Sequence, residues 1–431
     1  MAKTVIGKKG IAEMKKSIIT LAILTAAGLA GAETLDRPSG FKIGSRMTLR
    51  PYVGFSYTYD SNVDSAKKAE SGSSWVIDPG FSFDYIDETW QLKGAAYYQY
   101  HSYAEYSRRR NESSYGEKLS FAWSNATNGG PGWTLVLTED YRKINQDDDM
   151  SNDGGRGIGR DRDQFQFNGK LGHRFTENWH AAVNANYYYL DYENSSSHYA
   201  PLYGWTRWMV GAEAGYTASK WTDIIIAGNY QRYTQENDKD MGGETGSVRY
   251  RNHSSGSEGW TIQGGVATHA TERLSYRVLV GWSAFQYGAG SSKDSAFSYT
   301  ASLNWKMDET WSMMLLAARY FQPAEREYSA SVLADAVSWG LAHTMIRGKL
   351  NATLDLAYRH EQHSCSGYSS SDYDEDILTA RFGLNYTINR YISVFGRVEY
   401  QTMFVNRGGT TSVNEYDYDR WRGTLGFRLT Y

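Results

Sequence analysis

What most limits the folds open to this chain is a period-two alternation of apolar and polar residues, repeated in strand-length segments with no long apolar run between them. In the last segment Leu425, Phe427, Leu429 and Tyr431 fall on one side and Thr424, Gly426, Arg428 and Thr430 on the other. The same pattern places Leu378, Ala380, Phe382, Leu384 and Tyr386 against Thr379, Arg381, Gly383 and Asn385, and Leu350, Ala352, Leu354, Leu356 and Tyr358 against Asn351, Thr353 and Asp355. It recurs at Phe165, Phe167, Gly169 and Leu171, and at Leu49, Pro51, Val53, Phe55, Tyr57 and Tyr59. A helix would repeat its apolar residues every three to four positions, so these segments are strands with one greasy and one wet face.

A sandwich of two sheets alternates in the same way, and the connections arbitrate. Short polar turns followed by an aromatic recur: Asp87-Glu88-Thr89-Trp90, Thr176-Glu177-Asn178-Trp179, Ala218-Ser219-Lys220-Trp221, Asp308-Glu309-Thr310-Trp311 and Ile388-Asn389-Arg390-Tyr391. The stretches Asn128 to Trp133, Thr271 to Arg273 and Ile346 to Lys349 fill the remaining positions of the series, and successive turns lie about 38 to 52 residues apart. Between them come polar loops such as Asp60 to Ser74, Ile144 to Arg162, Glu236 to Glu258, His363 to Asp374 and Asn406 to Asp419. Short turns alternating with long loops, with aromatics beside the turns, are the pattern of a transmembrane antiparallel β-barrel. The expectation is a single all-β barrel of about 18 strands, an even number between 16 and 18, with short periplasmic turns and long extracellular loops. A soluble all-β protein is the competing reading, and it leaves the turn-aromatic repeat without a reason.

The N-terminus reads as an address. Met14-Lys15-Lys16, the apolar stretch Ile18 to Leu29 and the small residues Ala30-Gly31-Ala32 form a signal peptide cleaved before Glu33, with Met14 a second candidate start. The apolar stretch is too short for a spanning helix, which needs about 20 residues. The expected organisation is a signal-peptide helix in 1–32, a short periplasmic segment in 33–45 and the barrel domain in 46–431. With 45 Lys and Arg against 48 Asp and Glu there is no strong net field to attract nucleic acid. The single Cys365 excludes an internal disulfide, while 35 Tyr and 14 Trp suit strands and membrane interfaces.

The first strand and its exit, Pro51-Tyr52-Val53-Gly54-Phe55-Ser56-Tyr57-Thr58-Tyr59-Asp60-Ser61-Asn62-Val63, resemble the opening of the outer-membrane β-barrel porin family, in which a strand ends in Tyr-Asp-Ser/Asp-Asn-Val. The resemblance implies the outer membrane as location and a porin-like channel for small hydrophilic solutes as function. Some members are associated with exopolysaccharide or capsule loci, so the alternative is a plugged or loop-closed barrel in exopolysaccharide export, or a surface adhesin or structural protein. The ending Phe427-x-Leu429-x-Tyr431 resembles the signal read by the barrel-assembly machinery, although Phe is the commoner last residue. Expected partners are therefore outer-membrane lipid and lipopolysaccharide, that machinery during biogenesis, and small hydrophilic solutes.

Function in a barrel resides in its lumen. The polar strand faces nominate Arg50, Lys170, Arg174, Arg277, Arg359, Arg381, Arg397 and Arg428, against Asp84, Asp355 and Glu399, as lumen-facing charges. Such a wall leans basic and would favour anions if unpaired; charges that pair with one another would only solvate it. Trp90, Trp133, Trp179, Trp221, Trp311, Tyr391 and Tyr431 form the expected periplasmic aromatic girdle.

Other motifs carry less. Asp147 to Gly154 resembles a calcium loop, but counting from Asp149 the twelfth position is Arg160 instead of a bidentate Glu, so a solvated acidic loop is expected. His360, His363, Cys365, Asp372 and Asp374 are donor types a metal could use, yet their spacing matches no closed site. Arg108-Arg109-Arg110 reads as a solvated charge run, and Gly154 to Gly159 lacks the following helix of a phosphate loop. His343, His360 and Ser364 lie in no activating motif, so no enzyme, no cofactor and no metal are expected.

Overall fold

The computed structural model of the chain describes residues 40–63, 69–103, 112–125, 131–144, 162–192, 204–235, 238–241, 248–251, 256–287, 292–323, 331–346, 348–364, 372–407 and 417–431. A short strand β1 (Phe41–Ile43) leads into β2 (Met47–Asp60), β3 (Gly72–Ile86), β4 (Trp90–Tyr103), β5 (Glu112–Ser124), β6 (Gly132–Ile144), β7 (Arg162–Arg174), β8 (Trp179–Tyr192), β9 (Trp205–Ser219) and β10 (Thr222–Gln235). A separate hairpin, β11 (Asp238–Met241) and β12 (Val248–Arg251), precedes β13 (Glu258–Thr271), β14 (Leu274–Tyr287), β15 (Ser292–Lys306), β16 (Trp311–Pro323), β17 (Ser331–Met345), β18 (Leu350–Ser364), β19 (Tyr373–Asn389), β20 (Ile392–Arg407) and β21 (Tyr418–Thr430). The nine strands β2–β10 and the nine strands β13–β21 pair antiparallel in sequence order, β10 joins β13, and β21 returns to β2. The ring is closed and has 18 strands. Closure satisfies the edge groups that hydrocarbon would leave unpaired.

Alternation decides which way each strand faces. Val53, Trp75, Phe81, Val183, Val210, Ile224, Ile226, Val280, Phe382, Val398, Leu425 and Phe427 are exposed although apolar, and their sequence neighbours on the opposite face are polar or packed. The opposite face is the concave one, because its side chains reach across intervening strands: Gln263 Nε2 donates to Ser298 Oγ at 3.0 Å over β14, and Gln322 Nε2 to Glu361 Oε1 at 3.2 Å over β17. The exposed apolar band is thus the outer surface, as lipid requires.

The two ends differ as expected, with one correction. At the end carrying both described termini, β3–β4, β7–β8, β9–β10, β13–β14, β15–β16 and β19–β20 are joined by tight turns. Their polar residues cap the turn. Asp308 Oδ1 accepts from the Thr310 and Trp311 N–H groups at 2.6 and 2.8 Å, Thr176 Oγ1 from Asn178 and Trp179 N–H at 3.2 and 3.1 Å, and Asn389 Oδ1 from Tyr391 and Ile392 N–H at 2.8 and 3.0 Å. These are the local side-chain bonds that make Asp, Asn and Thr turn formers. At the other end the connections are mostly long, but β14 ends at Tyr287 and β15 starts at Ser292, so the expectation of long loops throughout that end does not hold there.

The seam between the first and last strands is closed at both levels. At the long-loop end, the Tyr59-Asp60-Ser61-Asn62-Val63 motif stitches β2 to β21. Arg420 Nε donates to Asp60 Oδ2 at 2.9 Å, Arg422 Nε to the same oxygen at 3.2 Å, Ser61 N–H to the Trp421 carbonyl at 2.9 Å and Asn62 Nδ2 to the Asp419 carbonyl at 3.1 Å. At the short-turn end β1 pairs with Met47 to Leu49 where β21 has run out, Tyr431 N–H donates to the Pro51 carbonyl at 3.1 Å, and the Phe41 ring stacks on Tyr431 at 4.3 Å. Among the described residues, pairing begins at Phe41, within the stretch assigned from sequence to a periplasmic segment. The assigned signal peptide lies outside the described residues.

Candidate functional site: the inner wall of the barrel

The inner wall is built by the even positions of β2 and β3, the odd positions of β4 and their register partners around the ring, and it carries charge at several levels. Arg50 pairs with Asp84 on the neighbouring strand. Arg277 Nη2 lies 2.6 Å from Glu213 Oε2 across two strands, with Lys170 Nζ at 3.9 Å from the other Glu213 oxygen. Arg381 Nε is 2.9 Å from Glu399 Oε1, and Asp355 stands within electrostatic reach of Arg381, Arg397 and Glu399. Arg428 Nη2 lies 2.9 Å from Asp78 Oδ2 over β2, and its guanidinium also covers the Tyr52 ring at 4.5 Å. Arg359 pairs with Glu361. Arg174 sits at the short-turn end and donates to the Glu177 carbonyl at 2.7 Å.

Position along the wall matters as much as sign. Near the long-loop end the inward side chains are packed: Tyr188, Leu190, Trp205, Tyr233, Phe285 and Phe321 form one apolar cluster, and Ile377, Met403 and Tyr418 a second. Toward the short turns the wall opens, and Lys170 is more than half exposed. Two cavities lie against it. One of 310 Å³ touches Arg207, Glu213, Gln231, Gln263 and Arg277; the other, of 240 Å³, touches Asp60, Asp78, Arg397, Glu399, Arg422 and Arg428.

Several of these partners escape sequence reading. Asp78, Glu213 and Glu361 complete the ion pairs of Arg428, Arg277 and Arg359, and Arg207, buried beside Tyr188, donates to Asn186 Oδ1 at 2.8 Å. All stand on the polar parity of their strands, which is the signal that could have found them. The suggested metal donors divide between faces. His360 meets Asp376 at 2.9 Å on the outer side of the wall, whereas His363 is buried on the inner side. Cys365, the acidic stretch 147–154, Arg160, Arg108 to Arg110 and the glycines 154–159 lie outside the described residues.

At the short-turn end the aromatics pair on the outer surface. Trp90 stacks on Tyr85 at 4.7 Å, Trp133 lies 4.1 Å from His173, Trp179 4.9 Å from Tyr216, and Trp311 stacks on His343 at 3.8 Å. Tyr391 and Tyr431 stack at 6.0 Å, and the Lys220 ammonium sits 4.8 Å from the centre of the Trp221 ring. Such rings favour the boundary between hydrocarbon and headgroups.

The chain is similar to solved outer-membrane proteins. The outer membrane protein OpdK from Pseudomonas aeruginosa shares 11% identity, with 89% of this chain and 99% of that one covered and a TM-score of 0.43. OpdQ of the same organism shares 10%, covering 90% and 100% with a TM-score of 0.44, and the FrpB iron transporter from Neisseria meningitidis shares 9%, covering 90% and 82% with a TM-score of 0.42. No curated protein matches the chain. Residues 237–431, just under half of the chain, match the model of the family described as Putative beta-barrel porin 2. Over that segment, which holds β11 to β21, the chain is similar to this porin family.

Proposed function

We propose that this barrel is a channel through which small hydrophilic solutes diffuse across the outer membrane, and that it performs no chemistry on them. One observation carries the reading: a closed ring of 18 strands has a charged and polar inner wall and an apolar outer one. A ring of that size, tilted as barrels are, has a backbone radius of about 18 Å, wide enough for an aqueous bore after side chains are subtracted.

The charges limit selectivity. Arg50, Arg277, Arg381 and Arg428 each have a carboxylate partner on the wall, so the basic excess expected from the strand faces is largely neutralised. A wall of paired charges discriminates weakly between anions and cations, and size becomes the main filter. The packed inner wall near the long loops supports a narrowest passage in that half. The same packing is the observation that favours the second reading, a loop-closed barrel serving polysaccharide export or surface attachment. We further propose export by the signal peptide in 1–32, assembly through the ending at Tyr431, and lipopolysaccharide around the long-loop end. Proteoliposome swelling separates the two functions: a channel gives swelling rates that fall with sugar size, and folded protein giving no swelling with the smallest sugar would overturn it.

A further inference from the structure

The inner wall holds one group of side chains that solute passage does not require. Glu361 and His363 are two residues apart on β18 and therefore share its inner face, and Glu375 on β19 is the register partner of Glu361. All three are buried, with side-chain exposures of 0% for both carboxylates and 2% for the imidazole. His363 Nε2 lies 3.1 Å from Glu361 Oε2 and 3.6 Å from Glu375 Oε2, and one ligand atom from each residue falls within 4.8 Å of the others.

We propose that Glu361, His363 and Glu375 form a binding site for a divalent transition-metal ion of the zinc type. Donor chemistry and spacing carry this. A tetrahedral ion with bonds of about 2.1 Å has donor–donor edges of about 3.4 Å, and the two measured separations from the imidazole nitrogen bracket that value. Carboxylate oxygen and imidazole nitrogen are both zinc ligands, and three protein ligands leave a fourth position for water. The surroundings orient the ligands as outer-shell groups do around metals. Arg359 pairs with Glu361 Oε1, Gln322 Nε2 donates to that same oxygen at 3.2 Å, and Oε2 is left turned toward His363. Tyr373 stacks on the imidazole at 4.3 Å and fixes its plane. An imidazolium bridging the two carboxylates would occupy the same geometry, and metal uptake distinguishes the two. An ion held there would clip β18 to β19 on the packed half of the wall.

The test uses tag-free, refolded full-length barrel, stripped with chelator and dialysed against Zn²⁺ alone, with metal content read by mass spectrometry. Co²⁺ in a parallel sample reports coordination through its visible absorption. The expected result is one ion per chain with tetrahedral-type Co²⁺ bands, and affinity at least tenfold lower in His363→Gln and in Glu375→Gln. Electrophoretic heat-modifiability verifies that each variant is folded, and Glu375→Asp, which keeps the carboxylate, retains measurable uptake. Wild type that takes up no stoichiometric ion would overturn the site, as would uptake unchanged by all the substitutions.

Discussion

Adjacent residues on β8 offer a test of sidedness. Val183 is 54% exposed on the outer surface, while Ala182 faces inward opposite Glu213 in the register of β8 with β9. A strand rising about 3.3 Å per residue at a tilt of about 40° climbs about 2.5 Å per residue along the membrane normal. On the outer face, Trp179 lies four positions below Val183 and Tyr189 six above, so the two aromatics are about 25 Å apart, the height of the apolar band of such barrels. Val183 is then about 10 Å above the lower ring, close to the bilayer midplane. An arginine there costs about 2–4 kcal/mol. At about 1.4 kcal/mol per decade that is roughly 30- to 1,000-fold in the unfolding equilibrium. Ala182→Arg carries the same side chain into the bore beside a carboxylate, and the expected change is within about 1 kcal/mol. Reversible guanidinium unfolding in lipid vesicles, followed by tryptophan fluorescence, measures both. Equal destabilisation by the two substitutions, or a larger effect at Ala182, would refute the assignment of faces.

Three further outcomes follow from particular contacts. Asp60→Asn removes the charge that Arg420 and Arg422 share at the buried seam, which should cost about 3–5 kcal/mol and lower the temperature at which the folded band disappears in electrophoresis; an unchanged temperature contradicts the latch. Glu213→Gln leaves Arg277 and Lys170 without their shared carboxylate. The reversal potential in a salt gradient should move toward anion selectivity, with a stability loss of about 1–3 kcal/mol, and no movement means that this pair does not border the conducting path. In the β15–β16 turn the Asp308 carboxyl is held below its ordinary value first by the Thr310 backbone N–H, then by the Thr310 hydroxyl and the Trp311 N–H. A depressed value stabilises the fold above the unfolded-state pKa of about 3.9 and ceases to do so as pH falls through the folded-state value. Unfolding rates should therefore rise more steeply on acidification in wild type than in Asp308→Ala, and identical pH profiles would contradict it.

Strand number and orientation were legible because lipid imposes apolar residues on one face of every crossing, and parity reveals that face. The turns were legible for a local reason: Asp308, Thr176 and Asn389 bond to the backbone two and three residues ahead, so their signal is complete within four residues. The ion-pair partners were not. Glu213 meets Arg277 64 residues away because four strands stand between and include them, and that register is set by the whole ring. His360 and His363 show how parity alone separates neighbours: three residues apart on one strand, they face opposite sides. The inner aromatic cluster was hidden because Tyr188, Trp205 and Phe285 break the expectation of a wet inner face.

Single-channel recording in planar lipid bilayers tests the central claim most directly. Refolded protein whose heat-modifiability verifies a closed barrel should insert and give discrete conductance steps that scale with salt concentration. A folded, inserted barrel that never conducts would contradict the account and leave the closed-barrel reading in its place.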